Sequence, residues 1–224
     1  MKTCMFHLVV GLFAVCAVFG FHACSGRANG DPPAADLSAL LNDLNSETYA
    51  VRRDAIEAIE RMGLSAKRAV PALARAFVDG RWESDNSWNT AVLRTLLAIG
   101  PEGEDAAIAA LRNRQVLRLR WPADDSTLRV LPRLQNLRTL DVCETKISDA
   151  AMRYIGNLVN LEELTLTGTD VSDNGLVHLR SLTKLVSVDL THTPTSDDAL
   201  KHIRNPSLLR RLSVGAKYTG RGPG

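Results

Sequence analysis

The sequence predicts an α/β solenoid in its C-terminal half, preceded by an all-α segment of paired helices. Three observations carry that expectation. Hydrophobic columns recur every 24 residues from Leu134 onward. Within each row, alternating apolar positions give way to helical spacing. Ahead of the rows the apolar pattern is helical throughout, and one helix pattern returns after 37 residues. A repeat unit that cannot bury its own apolar face must stack on its neighbours, so periodicity decides the architecture before any single element is assigned.

The rows align without slippage. Leu134, Leu137, Leu140 and Val142 are followed by Leu158, Leu161, Leu164 and Leu166, then by Leu182, Leu185, Val188 and Leu190. A further row opens at Pro206 and keeps Leu209, Leu212 and Val214. Later columns repeat as well: Thr145, Thr169 and Thr193; the pairs Ser148-Asp149, Ser172-Asp173 and Ser196-Asp197; Met152, Leu176 and Leu200; Ile155, Leu179 and Ile203. The stretch Leu140 to Val142 alternates as a half-buried strand, while Asp149, Met152 and Ile155 follow helical spacing. Parallel strands should therefore stack into a concave sheet, with helices along the convex side. An imperfect first turn has its strand at Val116 to Arg120 and its helix at Asp125, Leu128 and Leu131, with one residue fewer between them. Residues 115–216 thus hold about four and a half turns.

Each row resembles a leucine-rich repeat, with Thr where Asn is commoner at the ninth position. That Thr and the Ser-Asp segment after it resemble the cysteine-containing subtype of F-box proteins and bacterial GALA-type repeats. The resemblance implies an α/β horseshoe. It also implies that the ninth residue turns inward to bond backbone groups of the neighbouring turn, which a hydroxyl can do.

Residues 36–114 follow other rules. Leu37, Leu40, Leu41 and Leu44 mark one amphipathic helix; Val51, Ala55, Ile56 and Ile59 mark a second that stops at Gly63; Ala69 to Val78 marks a third, with Pro71 in its first turns. The segment Ala50 to Gly63 realigns on Ser87 to Gly100, and Asp79 to Asn86 reads as the loop between. This pattern resembles about two HEAT repeats. Ala106 to Leu111 is an apolar helix directly before the strand at Val116, so the two arrays should form one continuous solenoid.

The first 23 residues stand apart. Lys2 is their one charged side chain and Phe6 to Phe21 is apolar, interrupted by His7 and glycines, which is the layout of a secretory signal peptide. Ala23-Cys24 gives two processing alternatives: lipidation of Cys24 as in a bacterial lipoprotein, or ordinary cleavage near Ala23 or Ala28. Residues 24–35 are small, polar and Pro-containing, a tether, and residues 217–224 read as a disordered tail. Cys4, Cys16 and Cys24 belong to the leader or its edge, leaving Cys143 in the body, so no disulfide framework is expected. Export to the periplasm or cell envelope follows as the expectation.

Composition narrows the function classes. Aromatics are 5% of the chain, and 27 basic against 25 acidic side chains are spread without a Lys or Arg run, so nucleic acid is not an expected partner. His178, His192 and His202 lack the companions of a zinc motif, and no nucleophile elbow, phosphate loop or dinucleotide fingerprint occurs. No catalytic residue, metal or cofactor is expected. The Ser-Asp pairs read as helix caps, with the Asp favoured by the helix dipole; a calcium ladder is the sharper alternative, but the Gly-rich nonapeptides of calcium solenoids are absent.

Strand geometry names a candidate binding face. Positions between the buried leucines point toward the concave side: Val116, Arg118 and Arg120; Thr139, Asp141 and Cys143; Glu163, Thr165 and Thr167; Ser187, Asp189 and Thr191; Arg211, Ser213 and Gly215. Basic rows at the ends flank acidic, hydroxyl-rich rows, a pattern suited to a polar protein surface, against the alternative of a solvated face without a partner. The expected function is therefore an exported, non-catalytic protein-interaction module. Three rivals differ from it. An F-box-like ubiquitin-ligase adaptor would need an F-box and a cytosolic address; a cell-envelope enzyme or enzyme subunit would need a nucleophile or metal constellation that the sequence does not offer; the third is a non-catalytic subunit or structural component of an envelope complex. The strand at 209–215 is followed by no recognisable cap, and its edge is expected to be covered by a partner or by self-association.

Overall fold

The computed structural model describes residues 36–78, 86–196, 201–202 and 209–216. The expected leader, Cys24, the tether, the tail and residues 79–85 of the expected loop lie outside the described residues.

Five helices come first. Helix α1 (Leu37–Asp43) opens on Asp36, whose carboxylate accepts the Ser38 N–H at 3.0 Å. Helix α2 (Tyr49–Met62) buries Arg52, Ala55, Ile56 and Ile59 and ends at Gly63, at φ 51°. Helix α3 (Val70–Val78) follows a 3₁₀ stretch, Gly63–Ala69. Helix α4 (Asn86–Ile99) starts one residue earlier than its pattern, taking in Asn86 from the expected loop. Helix α5 (Pro101–Leu111) begins after Gly100, at φ 101°, with Pro at its start, where the missing N–H costs nothing. Gly103 lets α5 lie against α4: a Cβ there would sit 2.0 Å from the Leu96 carbonyl oxygen.

Four residues separate the end of α5 from the start of the sheet. Strands β1 (Val116–Arg118), β2 (Thr139–Asp141), β3 (Glu163–Thr165), β4 (Ser187–Thr193) and β5 (Arg211–Ala216) are all parallel and adjacent in chain order. Their register aligns Leu117, Leu140, Leu164, Val188 and Leu212 in one column. The fold is thus mixed α/β with a five-stranded parallel sheet.

On the other side lie a 3₁₀ stretch Thr127–Arg133, helix α6 (Asp149–Ile155) and helix α7 (Asp173–Leu176), which tightens into a 3₁₀ stretch Val177–Ser181. Regular helices are expected throughout; among the described residues on this side α6 is the longest α-helix, at seven residues, and the first segment contains Pro132, which lacks an N–H. Gly175 is required where α7 meets α6, since a Cβ there would lie 2.5 Å from Asp149 Oδ1 and 2.8 Å from Met152 Cγ.

The chain uses one residue in the left-handed region in each of three successive repeats: Glu144 (φ 55°) after β2, Gly168 (φ 68°) after β3, and His192 (φ 59°) at the irregularity near the end of β4. The buried Thr that follows bonds within its own turn. Thr145, Thr169 and Thr193 donate to the carbonyls of Val142, Leu166 and Leu190 at 2.6, 2.7 and 2.6 Å. This corrects the expectation of a bond to the neighbouring turn: the tight reversal brings the carbonyl three residues back within reach first.

One core runs through both parts, from Leu44 of the helical segment to Leu190 of the sheet. Polar contacts cross the same junction: Arg129 donates to the Leu97 carbonyl at 3.0 Å and pairs with Glu104 at 3.2 Å, and Thr90 accepts the Arg120 N–H at 2.8 Å. Helices α4 and α5 therefore close off the apolar end that β1 and its 3₁₀ stretch would otherwise expose.

Candidate functional site: the polar face of the sheet

Burial alternates along the strands. In β1, β2 and β3 the central Leu is buried while the flanking residues are exposed or half-buried. The pleat therefore brings the sequence-predicted residues to one face. In register, one row runs Val116, Thr139, Glu163, Ser187, Arg211, and the next Arg118, Asp141, Thr165, Asp189, Ser213. Cys143, Thr167 and Thr191 continue the three middle strands.

Much of the charge on this face is already committed. Arg120 reaches across to Asp141, donating to Oδ2 at 2.7 Å and to the Leu119 carbonyl at 2.9 Å. Asp141 Oδ1 accepts the Cys143 N–H at 3.1 Å. The equivalent Asp189 Oδ1 accepts both the N–H and the hydroxyl of Thr191, at 2.9 and 2.6 Å. Thr139 leans toward Glu163 at 3.4 Å, and beside them Arg138 pairs with Glu162. The expectation of separate basic and acidic rows is thus corrected at Arg120, because one strand spacing of about 4.8 Å lets its guanidinium neutralise the next row. Among the described residues, Arg118, Thr165, Thr167, Ser187 and Arg211 keep side chains without such partners.

The electrostatics follow from those contacts. Burial opposes ionisation of Asp141, but hydrogen bonds from Arg120 and Cys143 outweigh it and hold the carboxyl below its ordinary range. Burial likewise opposes the Arg120 charge, and Asp141 more than restores it. The Cys143 thiol is pushed up to about 11, by burial first and by Asp141 next. At neutral pH it is a protonated thiol, a poor nucleophile. The chemistry that this face supports is hydrogen bonding and charge pairing with a polar surface.

Two features escaped the sequence. Trp121, 55% exposed, stands at the end of the first turn with Lys146 of the next turn 4.5 Å from its ring centroid. Nothing in either local sequence pairs them; only the stacking of turns does. Away from that face, Ser148 and Ser172 cap α6 and α7 as expected, accepting the Ala150 and Asn174 N–H groups at 3.3 Å. The Asp residues do something else. Asp125, Asp149 and Asp173 each reach to the Ser of the following turn and accept its N–H at 2.7, 2.7 and 2.8 Å and its hydroxyl at 2.5, 2.6 and 2.6 Å. This ladder joins the turns, and its carboxylate oxygens are occupied. His178 is exposed, and His202 shares a 2.8 Å contact with Arg180. No group of three His, Cys, Asp or Glu side chains among the described residues could hold a metal ion. No helix among them is long and apolar enough to cross a membrane.

The chain matches no known family profile and no curated protein. Among solved structures, the crystal structure of internalin C2 from Listeria monocytogenes aligns at 18% identity and a TM-score of 0.35, covering 49% of this chain and 55% of that one. The chain therefore spans about half the length of that protein.

Proposed function

We propose that the chain is an exported, non-catalytic protein-interaction module that binds a polar protein partner on the concave face of its sheet. The carrying observation is that face itself: hydrogen-bonding side chains in register over five strands, set on a continuous apolar core. Arg118, Thr165, Thr167, Ser187 and Arg211 supply its open donors and acceptors, while Asp141 and Asp189 hold their neighbours in place. A rigid platform of this kind gives specificity through complementary polar groups without ordering a loop. On this reading the sheet half is a leucine-rich repeat array of the cysteine-containing, GALA-like subtype, and α1 to α5 are HEAT-like repeats that cap it. The leader directs the chain to the periplasm or cell envelope, and a lipid on Cys24 holds it at the membrane.

Affinity capture from an envelope extract tests the concave face, using residues 24–224 as bait. Partners recovered by the unmodified chain should be lost with Thr165→Arg plus Ser187→Glu, which reverse the chemistry of the central rows. They should be retained with Arg153→Glu on the convex α6. Recovery of the same partners by both variants contradicts the reading.

A further inference from the structure

Among the described residues the sheet ends at β5, and the geometry points to a second copy of this chain as what covers that edge. We infer that two β5 strands pair antiparallel about a two-fold axis through Ser213, joining two sheets into one. The inference is independent of the concave-face reading.

The hydrogen-bond phase sets which groups face outward. In this sheet the residues of the buried column direct their N–H toward the following strand: Leu119 to the Asp141 carbonyl, Val142 to that of Thr165, and Leu166 to that of Asp189, at 2.8, 3.0 and 2.8 Å. Carbonyls of the same parity point the same way, as Arg138 shows by accepting from Glu163 and Val186 by accepting from Arg211. In β5 those positions are Leu212 and Val214. No following strand meets their N–H and C=O groups among the described residues, and their side chains are 37% and 36% exposed, although they align with the buried Val188 and Leu190.

A two-fold axis through Ser213 places Leu212 opposite Val214 of the copy, and Val214 opposite Leu212. Both are outward-facing residues, so each pair can exchange two backbone hydrogen bonds. Their apolar side chains then meet on the core face. On the concave face Arg211 comes opposite Gly215 rather than another cation, and Ser213 meets Ser213. Centring the axis on Leu212 instead would set Val214 beside Arg210. The opposite edge of the sheet is not open in the same way: two residues past the end of β1, Thr90 of α4 already accepts the Arg120 N–H. Head-to-tail stacking would meet a helix there, which leaves the closed, isologous arrangement.

Ser213 would form a non-hydrogen-bonded pair with its copy, with Cα atoms about 4.5 Å apart, within disulfide reach. The test is oxidative cross-linking of the full chain with Cys4, Cys16, Cys24 and Cys143 changed to Ser. Ser213→Cys should give at least tenfold more covalent dimer than Ser187→Cys, which sits on the same face one strand inward. Adding Leu212→Lys should cut that yield about tenfold. Val214→Thr, nearly isosteric, provides the same reading with less disturbance of the fold and should reduce the yield severalfold. Equal yields from Ser213→Cys and Ser187→Cys, or a Ser213→Cys yield indifferent to both edge changes, would overturn the inference. Absence of dimer would do the same, and would leave the edge to the chain's own following residues or to a different protein.

Discussion

Individual residues carry costs that the repeat pattern conceals. Glu144, Gly168 and His192 occupy the same left-handed position in successive turns, yet only glycine adopts it without steric cost. Replacing Glu144 by Gly should raise stability by a few tenths to about 1 kcal/mol, and Gly168→Ala should lower it by about 1 kcal/mol, read from urea midpoints. The space around Gly168 is not the obstacle: a Cβ there would meet Glu144 at an ordinary 3.5 Å, so the backbone angle decides the sign. Asp141 gives a pH dependence. Its carboxyl is held below the ordinary value by Arg120 and the Cys143 N–H despite burial, so the unfolded chain takes up the proton first as pH falls. The stability it contributes is complete above about pH 4 and is lost as pH drops through the lower folded value. The difference in urea midpoint between the unmodified chain and Asp141→Asn should therefore stay flat from about pH 5 to 7 and shrink below about pH 4. A difference that grows on acidification would show that Asp141 is not the stabilised anion.

At the scale of elements, strands and core were legible and the joints between turns were not. Leu117, Leu140, Leu164 and Val188 repeat as identical or similar apolar residues, so their register could be read directly. The left-handed column holds Glu, Gly and His, three residues with no common chemistry, and could not be. The Ser-Asp pairs were visible as caps, which they are for Ser148 and Ser172. The sequence did not indicate that each Asp bonds a Ser 23 positions onward in the next turn. That contact exists only once the turns are stacked. On the candidate face, the residue positions were readable from alternation, whereas the Arg120–Asp141 pairing needed the spacing between strands. The ladder makes its own prediction. Asp149→Ala leaves the half-buried Ser172 N–H without its acceptor and should cost about 1 to 3 kcal/mol. Asp149→Asn keeps a carbonyl oxygen for that N–H and should cost distinctly less; equal losses in thermal denaturation would mean that charge, not the N–H bond, holds the turns together.

For the whole molecule, the continuous cluster from Leu44 to Leu190 and the contacts of Arg129 and Thr90 join the helical segment to the sheet, so the two are expected to unfold as one body. The polar face depends on this, because three of its five strands are three residues long, and such strands hold their register only on a packed core. Leu93 in α4 and Leu164 in β3 are both essentially fully buried, one in the helical part of that core and one in the sheet part. Each Leu→Ala change should cost about 2 to 5 kcal/mol. Scanning calorimetry of residues 24–224 alongside these two variants tests the account most directly. It predicts a single transition, with equal calorimetric and van't Hoff enthalpies, that both substitutions shift to lower temperature as a unit. Two separated peaks, with Leu93→Ala moving one and Leu164→Ala the other, would contradict it.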